Sequence, residues 1–261
     1  MQALKIAATG MAAQQMRVDV TANNIANMST TGYNARRAEF ADLHYQQIRT
    51  PGAIVALSGE ILPTGIQLGL GVRPSAVSME VRQGAVSPTG GELDIAIVGG
   101  GYFEIALPSG ETAYTRDGAF KLTGDGEVVT SDGFPVVPGI TVPADAREVV
   151  LNADGTLYAR FDGQVDLQQI GALTLASFIN QKGLEAIGDN LFLETAASGP
   201  ALTGEPGLDG RGTLRQGYLE DSSVDVVAEI TELIEAQRGY ELNARVMAAA
   251  DEMMSAASRI R

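Results

Sequence analysis

The sequence predicts an α+β protein. Long N- and C-terminal helices form a coiled coil or bundle, an extended β-arm follows the first helix, and a central domain is all-β. Two observations lead to this prediction. Apolar residues recur at alternating steps of three and four at both ends of the chain, the heptad pattern of a helix that packs along one face. Between the ends, Asp-Gly pairs separate runs of alternating apolar and polar residues, as in β-hairpins.

The N-terminal assembly helix is assigned to residues 1–33, with the helix itself predicted over residues 2–27. Alanines and long side chains dominate this segment, and Asn27, Ser29 and Gly32 supply a stop signal. A 3.5-residue repeat keeps one face of a helix toward a partner helix. Here the repeat consists of Leu4, Ala8, Met11, Gln15, Val18, Ala22 and Ile25.

Residues 34–82 are predicted to form an extended arm with a few short strands. Glycine, proline and threonine are frequent between residues 47 and 74, which disfavours a compact fold. Apolar residues persist in the arm, although a free linker would not need them. We therefore expect it to dock onto a neighbouring subunit through Pro51, Ile54, Ile61, Leu62, Pro63, Ile66 and Leu68. The alternative is a surface loop with no docking role.

Residues 83–205 are predicted to form the central β domain, a compact sandwich or barrel-like module. Alternating runs occur at residues 93–97, 102–107 and 127–130. Turn signals recur roughly every 8–12 residues, a spacing typical of all-β folds. They include Asp117-Gly118, Asp125-Gly126, Asp132-Gly133, Asp154-Gly155 and Asp162-Gly163.

The C-terminal assembly helix and its lead-in are assigned to residues 206–261. An N-cap is expected at Ser222 or Ser223, with Asp225 in the first turn, where the helix dipole favours negative charge. The heptad face comprises Val226, Ile230, Leu233, Gln237, Tyr240, Ala244, Met247, Asp251 and Met254. A second apolar stripe comprises Val227, Ile234, Val246, Ala249, Met253 and Ile260. Two stripes favour a multi-subunit bundle over an intramolecular one, because the chain offers only one other long helix.

The composition argues against several classes of partner. A formal net charge of −14 and the lack of a basic run in the sequence disfavour binding to nucleic acid. Cysteine is absent, which excludes disulfides and thiolate metal sites. No segment reaches the roughly 18 apolar residues that cross a bilayer, so no direct membrane insertion is expected. Lys5, Thr9 and Gln14-Gln15 interrupt the apolar region that a signal peptide needs, so any export is expected to proceed without a cleaved leader.

No residue pattern predicts an enzyme. The single histidine, His44, has no second histidine or cysteine with which to share a metal ion. The Asp-Gly pairs lack the spacing of a calcium loop, and Gly99-Gly100-Gly101 lacks the spacing and the following helix of a dinucleotide-binding loop. The Gly-x-Ser-x-Gly element of serine hydrolases is missing. The sequence therefore predicts no catalytic residue, no cofactor and no bound metal.

Several motifs resemble the signatures of bacterial flagellar rod and hook proteins. One is the run from Ala22 to Asn27 followed by Thr30-Thr31-Gly32-Tyr33, and it adds Asn23, Asn24 and Asn27 to the candidate interface. Other matching blocks span residues 93–97 with 99–103, 113–118, 217–220 with 224–225, and 235–241. The arm at residues 47–71, followed by Val72-Arg73-Pro74, resembles that of the distal rod subunits. The chain departs from the family at Ser223, where asparagine is usual.

This resemblance implies a homo-oligomer, a subunit that self-assembles into a rigid helical tube and transmits torque from motor to hook through the P and L rings. It implies further partners: proximal rod proteins, the hook protein, the P-ring and L-ring proteins, and the flagellar type III apparatus that would export the chain unfolded into the periplasm. The end helices lack a core of their own and would become ordered on assembly. The alternative is a monomeric acidic binding module in which both helices pair as a stalk.

Overall fold

The computed structural model describes residues 2–50, 64–161 and 166–259, and the chain divides into two compact units. The helical unit comprises residues 1–25, 36–78 and 225–261. The β unit comprises residues 26–35 and 79–224. Helices and strands are thus largely segregated along the chain, and the predicted α+β class is confirmed.

Both predicted terminal helices are present, as α1 (Gln2–Ala26) and α2 (Val226–Arg259). The predicted N-cap of α2 is wrong. The cap is Asp225, whose Oδ1 accepts hydrogen bonds from the amides of Val227 and Ala228 at 3.0 and 3.2 Å. Ser223 lies two residues before the cap, and its hydroxyl instead accepts a hydrogen bond from the amide of Ala35 at 2.9 Å. Asp225 still satisfies amides at the positive end of the helix dipole.

Four strands accompany the helices in the described part of the helical unit. Strand β1 (Arg36–Asp42) pairs with β4 (Val72–Met79), and β2 (Tyr45–Arg49) pairs antiparallel with β3 (Ile66–Gly69). All four strands lie within residues 34–82, the segment predicted as an extended arm with a few short strands. The arm residues Pro51, Ile54, Ile61, Leu62 and Pro63 lie outside the described residues.

The described part of the β unit contains fifteen strands: β5 (Val86–Pro88), β6 (Ile95–Val98), β7 (Phe103–Ala106), β8 (Thr112–Thr115), β9 (Lys121–Leu122), β10 (Val128–Val129), β11 (Ala146–Leu151), β12 (Thr156–Phe161), β13 (Gln168–Ala172), β14 (Leu175–Ser177), β15 (Glu185–Gly188), β16 (Leu191–Leu193), β17 (Leu202–Gly204), β18 (Thr213–Gln216) and β19 (Tyr218–Glu220). A four-stranded sheet has the order β15-β16-β8-β7, and a three-stranded sheet has the order β11-β12-β13. The remaining strands pair as β9–β10, β14–β17, β6–β18 and β5–β19.

Two of the predicted Asp-Gly turns join paired antiparallel strands. Asp125-Gly126 connects β9 to β10, and Asp154-Gly155 connects β11 to β12. Gly126 and Gly155 have φ angles of 82° and 89°, which glycine adopts without the steric cost of a side chain. These two hairpins are therefore confirmed, whereas Asp162-Gly163 lies outside the described residues.

The β unit extends past residue 205, where the sequence analysis ended the central domain. Residues 213–216 pair with β6, and residues 218–220 pair with β5. Residues assigned to the lead-in of the C-terminal helix thus complete the β unit. The pairing joins segments more than a hundred residues apart, and the local sequence pattern does not reveal such a pairing.

The β unit has a continuous apolar core, together with an adjoining aromatic cluster. In the cluster, Tyr102 makes edge contacts with Phe178 and Phe192, with ring centroids 5.9 and 6.0 Å apart. Edge-to-face geometry is the favoured arrangement of buried aromatic rings. The main core comprises Ile95, Ile97, Phe103, Ile105, Ala113, Phe120, Val128, Val136, Ile140, Val142, Val149, Leu151, Leu157, Leu173, Leu175, Leu191 and Leu214.

Candidate assembly interface

The two helices of the helical unit lie against each other and run antiparallel. Gly10 of α1 lies beside Asn243 of α2, and Gln14 lies beside Gly239. Residues later in α1 thus contact residues earlier in α2, as expected for antiparallel helices. The stalk-like pairing considered from the sequence therefore has a counterpart within one chain, formed by these four residues, which we call the small-residue contact.

The small-residue contact brings the two backbones close together. A Cβ atom at Gly10 would lie 2.9 Å from Asn243 Oδ1, and one at Gly239 would lie 3.0 Å from Gln14 Cδ. The fully buried positions of the two helices also carry small or polar side chains: Ala7, Ala13, Thr21, Asn24, Ala236 and Ala250. Small side chains remove little apolar surface from water, so the pair gains little hydrophobic stabilisation.

Asn24 joins three elements of the helical unit. Its Nδ2 donates to the Arg36 carbonyl of β1 at 2.8 Å and to Glu229 Oε1 of α2 at 3.0 Å. Its Oδ1 accepts from the Arg36 amide at 2.9 Å. The side chain is only 1% exposed, and a buried amide needs such partners. Asn24, predicted as an interface residue, therefore has a clear role inside the single chain.

The other two asparagines of the motif lie in different surroundings. Asn23 is exposed on α1. Asn27 follows α1 and is half-buried, and its Oδ1 accepts a hydrogen bond from Thr30 Oγ1 at 3.2 Å. Asn27 therefore stabilises the turn that ends the helix.

The predicted heptad faces lie one residue away from the small-residue contact. Met11 follows Gly10 on α1, and Tyr240 follows Gly239 on α2, and one residue turns a helix by about 100°. On α1, Leu4, Met11, Val18 and Ile25 are half-buried, and Ala8, Gln15 and Ala22 are exposed. On α2, Val226, Leu233, Ala244 and Met247 are half-buried, and Ile230, Gln237, Tyr240, Asp251 and Met254 are exposed.

Helix α2 therefore presents many large apolar side chains to solvent in a single chain. Val227 is 76% exposed, Met253 is 66% exposed and Leu242 is 61% exposed. The full set of exposed large apolar residues on α2 is Val227, Ile230, Ile234, Tyr240, Leu242, Val246, Met253 and Met254. Such continuous exposure is typical of an interaction surface.

Two of the predicted docking residues of the arm lie in the described part of the chain. Ile66 and Leu68 lie on β3 and are exposed. On the paired strand β2, Tyr45 and Ile48 are exposed as well. This two-stranded ribbon therefore offers apolar side chains without a core of its own.

A buried ion pair joins two of the motifs inside the β unit. Arg116 donates from Nε and Nη2 to Glu220 Oε2, at 2.9 and 2.6 Å. The remaining polar atoms are occupied as well: Arg116 Nη1 donates to the Gly101 carbonyl at 2.9 Å, and Glu220 Oε1 accepts from the Gly84 amide at 3.0 Å. Such full hydrogen bonding is what a desolvated pair of charges requires.

The Thr31-Gly32-Tyr33 motif packs beside the Arg116–Glu220 ion pair in the β unit. The amide of Gly32 donates to the Glu220 carbonyl at 2.8 Å, and a Cβ at Gly32 would lie 2.8 Å from the Arg116 carbonyl carbon. Beside it, the Ser223 amide donates to the Tyr33 carbonyl at 2.9 Å. Three motifs that are remote in sequence therefore converge, a role that sequence reasoning did not assign to any of these residues.

Nearby titratable groups carry shifted pKa values. Burial raises the pKa of Tyr102 to about 12, and the Arg116 charge offsets only part of this rise. Burial also raises the pKa of Asp117, although its Oδ1 accepts the Ala119 amide at 3.0 Å. The raised pKa values of Tyr102 and Asp117 are thus explained by their burial.

Within the described residues, no cluster of three histidine, cysteine, aspartate or glutamate side chains could hold a metal ion. No described helix is long and apolar enough to cross a membrane.

Three protein-family models match separate parts of the chain. Residues 4–34 match "Flagella basal body rod protein". Residues 96–159 match "Flagellar hook protein FlgE/F/G D1 domain". Residues 215–260 match "Flagellar basal body rod FlgEFG protein C-terminal". The first and last matches contain nearly all of the two helices, and the middle one contains much of the β-unit core.

Relatives match over the full length. The flagellar basal-body rod protein FlgG of Caulobacter vibrioides is 52% identical over 261 residues, covering 100% of both chains. FlgG of Agrobacterium fabrum is 48% identical, covering 99% of both chains. FlgG of Borreliella burgdorferi is 41% identical, covering 100% of this chain and 99% of its own. All three are named as rod proteins and not as enzymes. The chain therefore belongs to the family of flagellar basal-body rod proteins, as a structural subunit of the distal rod.

Proposed function

We propose that this chain polymerises with copies of itself into the rigid helical tube of the distal rod, and that the terminal helices form the contacts between copies. The observation that carries the proposal is the row of exposed apolar side chains along α2. Monomeric soluble proteins seldom leave such a surface in water. Neighbouring copies in a polymer would remove it from solvent.

The proposed interface consists of the two predicted heptad faces and the second apolar stripe of α2. The small-residue contact is already used within one chain, by Gly10, Gln14, Gly239 and Asn243. The predicted faces are only half-buried or exposed, so they remain available to other copies. A helix with contacts on several sides is typical of a multi-subunit bundle.

The arm would stiffen the tube. An isolated two-stranded ribbon such as β2–β3 is only marginally stable in water. Docking of its exposed Ile66 and Leu68 on a neighbouring copy would stabilise it and would block sliding between adjacent rows of subunits. A shaft that transmits torque without bending needs such a block.

The proposed function also implies a route of export, a location and a set of partner proteins. The chain would be exported by the flagellar type III apparatus without a cleaved leader and would assemble in the periplasm. Its partners would be the proximal rod proteins, the hook protein, and the P-ring and L-ring proteins. Membership of the rod family supports this placement.

A monomeric binding module with a helical stalk is the competing function. The antiparallel contact between α1 and α2 within one chain favours it. A monomer of this kind would, however, be expected to cover its apolar helix faces, and α2 leaves Val227, Leu242 and Met253 mostly exposed. The polymer accounts for both observations.

The substitution Met247→Asp tests the proposal. It places a charge on the predicted face of α2, which costs several kcal/mol if a neighbouring copy desolvates it. We expect a folded β unit, no polymer in sedimentation and electron microscopy, and no motility. The matched control is Met28→Asp, because Met28 is exposed and lies on neither helix. Normal swimming with Met247→Asp would exclude this face as an assembly surface, and a wild-type monomer independent of concentration would favour the stalk.

Deleting residues 49–65 tests the role of the arm. The helices and the β unit lie outside the deletion, so polymer is expected to form. It should bend more readily than the wild-type tube, as measured from the curvature of filaments in electron micrographs. Straight tubes of equal stiffness would contradict the docking role.

A further inference from the structure

A cleft of about 220 Å³ in the helical unit is lined by three arginines from two elements. Arg17 belongs to α1, and Arg36 and Arg37 belong to β1. Phe40 contributes an apolar wall, and Glu232 of α2 supplies the one carboxylate among the lining residues. The whole chain is acidic, with a formal net charge of −14, whereas arginines outnumber carboxylates among the residues that line this cleft.

Within the described residues, Arg17 has a carboxylate nearby and the Arg36 side chain does not. Glu232 Oε2 lies 3.8 Å from Arg17 Nη2, at the outer limit of an ion pair, and both side chains are partly exposed. In the described part of the chain, the Arg36 side chain makes no ion pair. The Arg36 backbone is nevertheless held firmly, since its amide and its carbonyl both bond to Asn24, at 2.9 and 2.8 Å. These bonds fix the Arg36 backbone beside α1, which carries Arg17.

The acidic surface of α2 offers a group that fits this site. The Glu235 side chain is exposed and makes no hydrogen bond or ion pair within the described residues. It stands in a stripe with the exposed Leu242, Val246 and Met253, at steps of seven, four and seven residues. A carboxylate in an apolar stripe matches a cleft that combines guanidinium groups with an aromatic wall.

We propose that Arg36, in the cleft that it shares with Arg17 and Arg37, binds the Glu235 carboxylate of a second copy. This inference rests on the proposed function, because it names one contact between copies. The cleft and Glu235 are different surfaces of the same chain, so the contact is heterologous. A heterologous contact that does not close into a ring generates an open helical polymer.

Charge reversal tests the contact. Arg36→Glu is expected to raise the protein concentration needed for polymer formation by about tenfold or more, because like charges then face each other. Glu235→Arg should have the same effect. The double variant, which restores opposite charges, should return to within about threefold of wild type, since the pair interaction is regained. Arg73→Glu is the matched control, because Arg73 is exposed on β4 of the same unit and does not line the cleft.

The cysteine-free chain also allows a direct test of proximity. Copies carrying Arg36→Cys are mixed with copies carrying Glu235→Cys and treated with a short bis-maleimide, and a covalent dimer is expected. A bifunctional reagent is needed because an arginine–glutamate ion pair can hold its Cα atoms farther apart than the roughly 7 Å that a direct disulfide spans. A mixture with Glu241→Cys, another exposed acidic position of α2, should give at least about tenfold less dimer. Equal or absent cross-linking at Glu235 would overturn the inference.

The outcomes separate this inference from the proposed function. Polymer formation by Arg36→Glu at the wild-type concentration would overturn the cleft contact and leave the rod function standing. Loss of polymer without rescue in the double variant would show that Arg36 and Glu235 are not paired and would also overturn it. A wild-type chain that never polymerises would contradict the proposed function itself, whereas the cross-link reports the contact between two copies even without filaments.

Discussion

The two units of this chain are stabilised in different ways. The β unit buries large apolar side chains such as Phe103, Ile105 and Leu157 in its own core. The helices of the helical unit bury alanine, threonine and asparagine and leave valine, leucine and methionine exposed. Because hydrophobic stabilisation scales with the apolar area removed from water, we expect the β unit to be the more stable of the two. In the proposed polymer, neighbouring copies would cover the apolar side chains that α2 leaves exposed.

Hydrogen exchange gives the largest expected contrast between the units. In dilute protein, amides of residues 1–30 and 222–261 should exchange at least about a thousandfold faster than those of residues 90–180, which corresponds to about 4 kcal/mol of local stability. Exchange followed by mass spectrometry of peptic peptides measures both regions in one sample. Equal protection would mean that the helix pair is stable alone, as a stalk requires.

Breaking the buried ion pair should destabilise the β unit. Glu220→Gln keeps the shape but leaves the Arg116 guanidinium buried without a counter-charge, which costs about 3–5 kcal/mol. The shift in urea midpoint, read from the near-ultraviolet signal of the core tyrosines, measures this loss. Glu92→Gln, at an exposed position, is the control. A shift no larger than that of the control would show that the pair contributes little.

Asn24→Ala should act on the helical unit and spare the β unit. It removes the partners of the Arg36 amide and carbonyl, at a cost of about 1–3 kcal/mol, because buried polar groups then lack hydrogen bonds. Exchange should accelerate in β1 and in the first turns of α2. Gln15→Ala, at an exposed position of the same helix, should leave both unchanged. A loss of β-unit stability would show that the two units depend on each other.

The smallest effect is expected at Asp117, as a dependence on pH. Burial raises its pKa in the folded protein, so the folded state holds the proton more tightly than the unfolded chain does. The stability of the β unit should therefore fall as pH rises from the ordinary pKa of 3.8 through the raised value. Asp117→Asn keeps an acceptor for the Ala119 amide without the charge. It should stabilise the protein at neutral pH and not below about pH 3, where the aspartate is protonated. An effect independent of pH would contradict this assignment.

Local pattern was enough to predict both terminal helices and the hairpins at Gly126 and Gly155. These elements depend on heptad spacing and on turn residues that act within a few positions. The motifs also sufficed to identify the family. Local pattern failed at the N-cap of α2, because serine and aspartate are about equally good caps and only the structure shows that α2 begins directly after Asp225.

The sequence by itself determined that two apolar stripes run along α2 and that the middle of the chain is β structure. Only the tertiary structure decided which helix face is used inside one chain, one residue away from the predicted face. It also joined Arg116 to Glu220, 104 residues apart, and brought β18 and β19 back to the β unit. The physical reason is the same in each case. Propensity and periodicity act over a few residues, whereas contacts between distant segments depend on which surfaces close packing allows to meet.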